Sequence, residues 1–257
     1  MQLPYFDLSG KLALVSGGAT GIGLGISEGL AEAGARVIVC SRRLEVCQQA
    51  AGQLAAKTGA QVQARSCDVT DEGQVDSLVA EVLAMSGGID ILVNCAGVGG
   101  SEKPILEMSS LEWDSVIDIN LKGAYILSRA VAGPMMEAGR GGRIINVASV
   151  GAIIAYPNMS AYCASKGGLV QLTKVMALEW VRHAINVNAI LPGYFETPMN
   201  TEFFASEAGR AAIKRQIPMR RLAQIEEIKG LAILLASPAS SFMTGSAVVI
   251  DGGNTAW

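Results

Sequence analysis

The chain has 257 residues, 50% of them hydrophobic, with 30 glycines, few aromatics and a formal net charge of −3. That length buries the core of one large α/β unit or two small ones, and the mild charge without a long basic run speaks against nucleic acid as a partner. Five cysteines, Cys40, Cys47, Cys67, Cys95 and Cys163, are odd in number and lack C-x-x-C spacing, which points to reduced packing residues in an intracellular, cytoplasmic protein. The N-terminal MQLPYFDLSGK has no basic stretch leading into an apolar core, so no signal peptide is expected. Apolar runs such as LAILLA are too short to cross a bilayer, and no membrane partner is expected.

Residues 11–16, KLALVS, read as a strand that stops at glycines, and apolar residues recur at helical spacing over 22–33. The loop between them, SGGATGIG, carries Gly17, Gly21 and Gly23 in a G-x-x-x-G-x-G spacing. Glycines let such a loop turn and approach a pyrophosphate, whose charge the free N–H groups of the next helix attract; close packing of strand on helix asks for glycine as well. Residues 36–40, RVIVC, form the second strand, ending in Ser41, Arg42 and Arg43. In dinucleotide folds an acid at this tip binds a free ribose 2′-hydroxyl, whereas arginine pairs with a 2′-phosphate. No acid stands there, so NADP(H) is expected over NAD(H), the other reading being solvated surface arginines. A helix over 44–57 and a strand over 61–66 lead to Cys67, Asp68 and Val69. Asp68 either meets a ligand at this strand end or caps the helix beginning at Thr70 and Asp71.

Residues 89–94, IDILVN, are a buried strand, and the small Cys95, Ala96 and Gly97 after it would let a flat ring lie on the backbone. A long helical stretch over 111–137 holds Asn120 and Gly123. Asparagine is a poor interior helix residue, so Asn120 bends the helix, bonds something specific or is a tolerated polar spot. A strand over 143–147, a helix over 159–181 and a strand over 185–190 follow, the last running into LPGYFETPM. From Pro192, Gly193 and Pro198 to about 216 the chain reads as an insertion of the kind that forms lids and pocket walls. A helix over 225–236 and a strand over 247–250 end at Asp251, Gly252 and Gly253. Strands alternating with helices, without a linker or repeat, predict an α/β fold: one doubly wound domain over 1–257, with a seven-stranded parallel sheet, helices on both faces and a substrate lid at about 194–216. The single histidine, His183, lies at a helix end, G-x-S-x-G is absent, and no Cys/His cluster has metal spacing. Ser-His-Asp hydrolysis and zinc chemistry are disfavoured, and no metal is expected.

The segment 149–166, SVGAIIAYPNMSAYCASK, holds the sharpest signal. On a helix beginning near Met159, Tyr162 and Lys166 stand one turn apart on one face. A phenol, with a reference pKa of about 10, is a poor base near neutrality until a fixed cation favours its phenolate. Such a pair can pass a proton to or from an alcohol oxygen, with the Ser149 hydroxyl hydrogen-bonding the same oxygen as charge develops. An ordinary helix face would show the same spacing.

These motifs together, Gly17, Gly21 and Gly23, Asp68 and Val69, the NCAG of Asn94 to Gly97, Asn120, Ser149, Tyr162 with Lys166, Pro192 and Gly193 with Thr197, and the terminal DGG at Asp251, resemble the short-chain dehydrogenase/reductase family over essentially the full length. The resemblance implies a Rossmann fold and hydride transfer between NADP(H) and a ketone or secondary alcohol. In it Tyr162 is the general acid/base and Ser149 polarises the substrate oxygen. Lys166 lowers the tyrosine pKa and holds the nicotinamide ribose, and Asn120 positions a water leading from Lys166 to solvent. Thr20 and Ile22 would join the glycines on the pyrophosphate, Asp68 and Val69 would meet adenine, and Asn94, Ala96 and Gly97 the ribose region. Pro192, Gly193, Phe195 and Thr197 would meet the nicotinamide end, while Ser41, Arg42 and Arg43 match members that use NADP(H). Ser16 and Cys95 stand where Thr and a second Asn are commoner, and Ala19 and Thr20 lack the basic residue many NADP(H) members carry in the loop. A homotetramer is implied, joined through the helices at 111–137 and 159–181.

A pocket lined from 150 to 159, by Tyr194 and by Met199, Phe203 and Phe204 reads as apolar, which favours a medium-sized ketone or a β-ketoacyl thioester over a small polar sugar, although the pattern also resembles gluconate 5-dehydrogenase-like members. Lys214, Arg215, Arg220 and Arg221 would serve an acidic carrier or simply be solvated. A protein that binds a dinucleotide without catalysis is the alternative from a different class.

Overall fold

A computed structural model describes residues 4–197 and 204–256. Seven strands, β1 (Leu12–Ser16), β2 (Arg36–Ser41), β3 (Val62–Ser66), β4 (Ile91–Asn94), β5 (Gly142–Val147), β6 (Ile185–Pro192) and β7 (Ala247–Ile250), form one sheet in the order β3-β2-β1-β4-β5-β6-β7. All pairs are parallel. The order reverses between β1 and β4, and in open parallel sheets a ligand crevice forms at that split, outside the carboxyl ends of the strands. The register brings Ser16 opposite Asn94, and Asn94 opposite Asn146.

Alternation along the buried strands sends successive side chains to opposite layers. Ala13, Val15, Val37, Val39, Ile91, Val93 and Ile145 pack under α1 (Gly21–Glu32), α2 (Leu44–Thr58) and the helix Lys229–Ala236. Leu12, Leu14, Ile38, Leu92, Ile144 and Val187 pack under α3 (Glu72–Ser86), α5 (Gly123–Ala138) and α6 (Ser160–Trp180). Full burial of each such aliphatic side chain stabilises by about 1.5–3 kcal/mol, and both layers contribute. The expected doubly wound fold with helices on both faces is what forms.

The expected helix over 111–137 divides. α4 (Ser110–Ile117) opens with a capping box in which Ser109 and Glu112 satisfy each other's backbone N–H groups. A π-turn at Asp118–Lys122 then carries Asn120 before α5 begins. Asn120 both breaks the regular helix and bonds something specific. Asp71, not Asp68, caps α3, accepting from Gln74 N at 3.0 Å. The stretch before 216 contains a helix, α7 (Glu207–Gln216), and the expected helix over 225–236 starts as a 3-10 turn, Ile225–Ile228, before α8 (Lys229–Ala236).

A polar ladder crosses the buried sheet. Asn94 Nδ2 donates to Ser128 Oγ and to Asn146 Oδ1, both at 2.8 Å, and Asn146 Nδ2 donates to Thr173 Oγ1 at 2.8 Å. Thr173 Oγ1 donates on to Leu169 O. The ladder ties α5 and α6 to β4 and β5, and buried amides left unpaired would each cost about 1–3 kcal/mol. Asn146→Ala removes the middle member and opens a void, so it should lower unfolding free energy by about 2–4 kcal/mol in urea denaturation.

Candidate active site

The crevice is built by close backbone approach. Gly17 lies at φ +67°, and a Cβ there would stand 2.8 Å from Ala96 N. Ser16 fastens the same junction: its Oγ donates to Val93 O at 3.3 Å and accepts from Cys95 N at 3.2 Å and Ala96 N at 3.4 Å. A Cβ on Gly23 would overlap Gly17 O. A nucleotide pyrophosphate fits this cradle, because side chains would fill it and the helix N-terminus opens into it. Thr20 is the exposed N-cap residue of α1, and its hydroxyl makes no cap bond. Ile22 instead packs partly against the apolar layer under α1. Thr197 reaches the loop from β6, with Cγ2 3.4 Å from a Cβ placed on Gly21.

At the tip of β2, Ser41 Oγ accepts from Arg43 N at 3.3 Å and contacts Cys47 Sγ at 3.0 Å. Arg42 and Arg43 are exposed, and their guanidinium groups have no partner among the described residues. Asp68 Oδ1 accepts from Thr70 N and Oγ1 at 3.0 and 2.8 Å, which organises the turn before α3.

Three expected ligand residues turn their side chains elsewhere. Phe195 is 2% exposed and belongs to the core under α1 and α8. Val69 is buried against α5, where a Cβ on Gly123 would be 2.6 Å from its Cγ2. Asn94 spends its amide on the polar ladder. At Phe195 and Val69 only backbone remains for a ligand, and at Asn94 the backbone and a buried Oδ1 with no partner among the described residues. Residues of a strand end alternate between crevice and core, and the motif names both kinds alike. Gly193 N donates to Ile250 O, and Pro192 closes β6 as a buried strand residue. Met199 and Phe203 lie outside the described residues.

Ser149, Tyr162, Lys166 and Asn120 do come together. A Cβ on Gly151 would stand 3.3 Å from Tyr162 Cε1, 3.3 Å from Tyr156 Cε2 and 3.4 Å from Ser149 Oγ, so three hydroxyl side chains border one space. Ser149 Oγ accepts from Gly151 N at 3.0 Å, which leaves its proton to be donated. Behind Tyr162, Lys166 is buried, with Nζ donating to Val147 O at 2.9 Å and lying 5.9 Å from the Tyr162 ring centroid. Asn120 Oδ1 accepts from Val98 N at 2.8 Å, and its Nδ2 donates to Val98 O at 2.9 Å and Ser165 Oγ at 3.1 Å. Ser165 Oγ donates in turn to Tyr162 O at 2.7 Å. With its amide fully engaged, Asn120 has no side-chain donor left for a water; it joins the loop after β4 to the helix that carries Tyr162.

The electrostatics differ from the expectation that Lys166 lowers the tyrosine pKa. Burial pushes the Tyr162 phenol above its ordinary value, a rise that the Ser149 hydroxyl partly offsets. Burial also depresses the Lys166 ammonium to about 8. Desolvation disfavours both charged forms and is the largest cause of each shift. Cys95, beside Lys166, is pushed up to about 11 by burial, which makes it an inert thiol. All five cysteines are free.

The wall expected over 150–159 is present, and sequence reasoning missed that two of its aromatics face each other as a hydroxyl pair. Tyr156 and Tyr194 have ring centroids 6.3 Å apart at 56°, and Tyr194 meets Phe204 edge-on at 5.6 Å and 77°. Of the four basic residues considered for a carrier, Arg221 is bound to Glu227 by two hydrogen bonds of 2.6 and 2.8 Å, while Lys214, Arg215 and Arg220 are exposed.

A doubly wound sheet with a serine, tyrosine and lysine gathered beside its crevice defines a nucleotide-dependent oxidoreductase architecture. A family model described as enoyl-(acyl carrier protein) reductase matches residues 17–255. D-threitol dehydrogenase of Mycolicibacterium smegmatis is 41% identical over 97% of this chain and 95% of its own length. Gluconate 5-dehydrogenase of Gluconobacter oxydans is 38% identical over 97% of this chain and 96% of its own. The crystal structure of a gluconate 5-dehydrogenase from Burkholderia cenocepacia in complex with NADP and tartrate superposes with a TM-score of 0.93 at 36% identity, covering 99% of this chain and 98% of that one. The chain belongs to the short-chain dehydrogenase/reductase family and is an oxidoreductase. No helix among the described residues is long and apolar enough to cross a membrane.

The buried lysine carries a pH signature. Its folded pKa is depressed, so between about 8 and 10.5 the unfolded chain binds the extra proton and stability rises with pH. Lys166→Met should remove that rise, amounting to up to about 3 kcal/mol, and the difference between wild type and variant unfolding free energies across this window measures it.

Proposed function

We propose that the chain is an NADP(H)-dependent dehydrogenase/reductase that interconverts a secondary alcohol and a ketone on a small polyhydroxylated substrate. The observation that carries this reading is the convergence of Ser149 and Tyr162 on one space beside Gly151, with Lys166 buried behind them. The relatives named for threitol and gluconate support the substrate class. The unpaired guanidiniums at the β2 tip, with no acid beside them, support NADP(H), as does the neighbour crystallised with NADP.

The nicotinamide, when bound, supplies or takes up the hydride. Gly17, Thr20, Gly21, Ile22 and Gly23 would hold its pyrophosphate and Ser41, Arg42 and Arg43 the 2′-phosphate. Asp68 and the backbone of Val69 would meet adenine, and the backbone from Asn94 to Gly97 the ribose region. Pro192, Gly193, Thr197 and the backbone of Phe195 would meet the nicotinamide end. In oxidation Tyr162 accepts the substrate's hydroxyl proton, and in reduction it returns one to the oxygen. Ser149 donates to that oxygen, its lone pair already committed to Gly151 N. Lys166 has protons beyond the one given to Val147 O, and these serve the ribose hydroxyls. Asn120 is a positioning residue that holds the Tyr162 helix to the loop after β4.

The catalytic and nucleotide-binding residues form one unit over 1–257, with the segment 194–216 covering the substrate side. The five free thiols fit a cytoplasmic enzyme. Two separate exposed apolar surfaces fit a homotetramer built on two different two-fold contacts. Leu111, Val175 and Leu178 lie on α4 and α6, and Phe242 and Val249 lie beside or on the unpaired edge strand β7.

Tyr162→Phe should cut ketone reduction by about 10²–10⁴-fold with NADPH binding retained; a rate comparable to wild type would remove Tyr162 from its assigned role. For the cofactor, Arg42→Ser should lower the ratio of kcat/KM for NADPH over NADH by about ten- to a hundredfold, the worth of a hydrogen-bonded charge pair.

A further inference from the structure

The wall beside Tyr162 carries two phenols that proton transfer does not use. Tyr156 borders the same space as Tyr162 and Ser149, its Cε2 3.3 Å from the point that a Cβ on Gly151 would occupy. Tyr194, from the end of β6, tilts over Tyr156 with centroids 6.3 Å apart, and Phe204 braces it from behind. Burial first, and the neighbouring Tyr194 next, push the Tyr156 phenol above its ordinary value, so it stays protonated. The Tyr194 hydroxyl carries its own proton, and among the described residues no recorded hydrogen bond takes it up. The site thus presents an O–H donor one ring away from the oxygen-binding pair.

Two cations near the same wall are spent on carboxylates. Lys103, tied to the wall by its backbone N–H bonding Asn158 O at 3.0 Å, gives its ammonium to Glu112. Arg221 is paired with Glu227. A carboxylate seated against the two phenol rings would lose its hydration, and neither Lys103 nor Arg221 is free to pair with it.

We propose that Tyr156 and Tyr194 are specificity-determining residues that select a neutral substrate bearing a hydroxyl on the carbon next to the reacting one, a vicinal diol or its α-hydroxyketone. This rests on the hydride-transfer reading above and deepens it. With the reacting oxygen held by Ser149 and Tyr162, the neighbouring hydroxyl falls toward Tyr156 and accepts from Tyr194. A site built to hydrogen-bond a substrate hydroxyl rejects the analogue lacking it, because its own polar groups are then left unpaired.

Steady-state oxidation by the full-length protein with NADP+ tests this on two substrate pairs, 2,3-butanediol against 2-butanol and threitol against gluconate, in wild type, Tyr194→Phe and Tyr156→Phe. Wild type should favour the diol in the first pair and threitol in the second. Each variant keeps its ring and should lower the diol-to-monoalcohol ratio of kcat/KM by about tenfold or more, the loss of one substrate hydrogen bond. A ratio unchanged in both variants, or a wild-type preference for 2-butanol or for gluconate, overturns the proposal and leaves the hydride-transfer reading standing. A wild type inert toward all four alcohols, and toward the corresponding ketones with NADPH, overturns both.

Discussion

The close approach of two loop backbones at the split between β1 and β4 is the constraint on which the site depends. Gly17 sits where any side chain would strike Ala96, and the Ser16 hydroxyl bonds the backbone at Val93, Cys95 and Ala96. The position of the β4 loop then passes its alignment onward. Val98 is gripped through both its N–H and its C=O by Asn120, Asn120 bonds Ser165, and Ser165 bonds the backbone of Tyr162. A continuous run of hydrogen bonds thus joins the glycine loop to the helix carrying the reacting phenol. Each member is buried or half-buried, where an unpaired group costs about 1–3 kcal/mol, so the two halves of the site hold a common geometry.

Burial sets the ionisation of that geometry. The Tyr162 phenol is held above its ordinary value and the Lys166 ammonium is brought down to about 8, so near neutral pH the phenol keeps its proton and Lys166 keeps its charge. Each shift arises from desolvation first, and a nearby hydroxyl or thiol only trims it. The low-dielectric surroundings that impose this cost also strengthen every hydrogen bond made inside, including the one Ser149 can donate. The site therefore depends less on a strong base than on donors fixed before the substrate arrives.

The sequence made the strand and helix order legible because alternation and helical spacing report burial directly: β7 occupies the expected residues, and β5 starts one residue early. The convergence of Ser149, Tyr162 and Lys166 was legible as well, since one helix turn separates the last two. Side-chain direction at strand ends was not. Asn94, Val69 and Phe195 stand in the right motifs, yet they face the core, because a motif records position in the chain and not which face of a strand end a side chain takes. α7 was missed because it is short and its apolar residues are three alanines and Ile213, too few large side chains to stand out from a loop. Spacing likewise shows a cation one turn from the tyrosine but not how dry its surroundings are, and burial raises the phenol.

The substrate wall shows how these limits combine. Read as letters, Tyr156, Tyr194 and Phe204 are large and mostly carbon, and they suggest an apolar partner. Placed in space, the rings supply a stiff frame with only two rotatable torsions each, and the hydroxyls at their ends become fixed polar points on it. Charge is handled at the opposite end of the crevice, where Arg42 and Arg43 stand unpaired, whereas Lys103 and Arg221 near the wall are neutralised by Glu112 and Glu227. Long-range attraction therefore favours an anion at the β2 tip, while beside Tyr162 two of the nearby cations are already paired. Selection there is left to short-range hydrogen bonds and shape, which discriminate between neutral molecules of similar size where a net field would not.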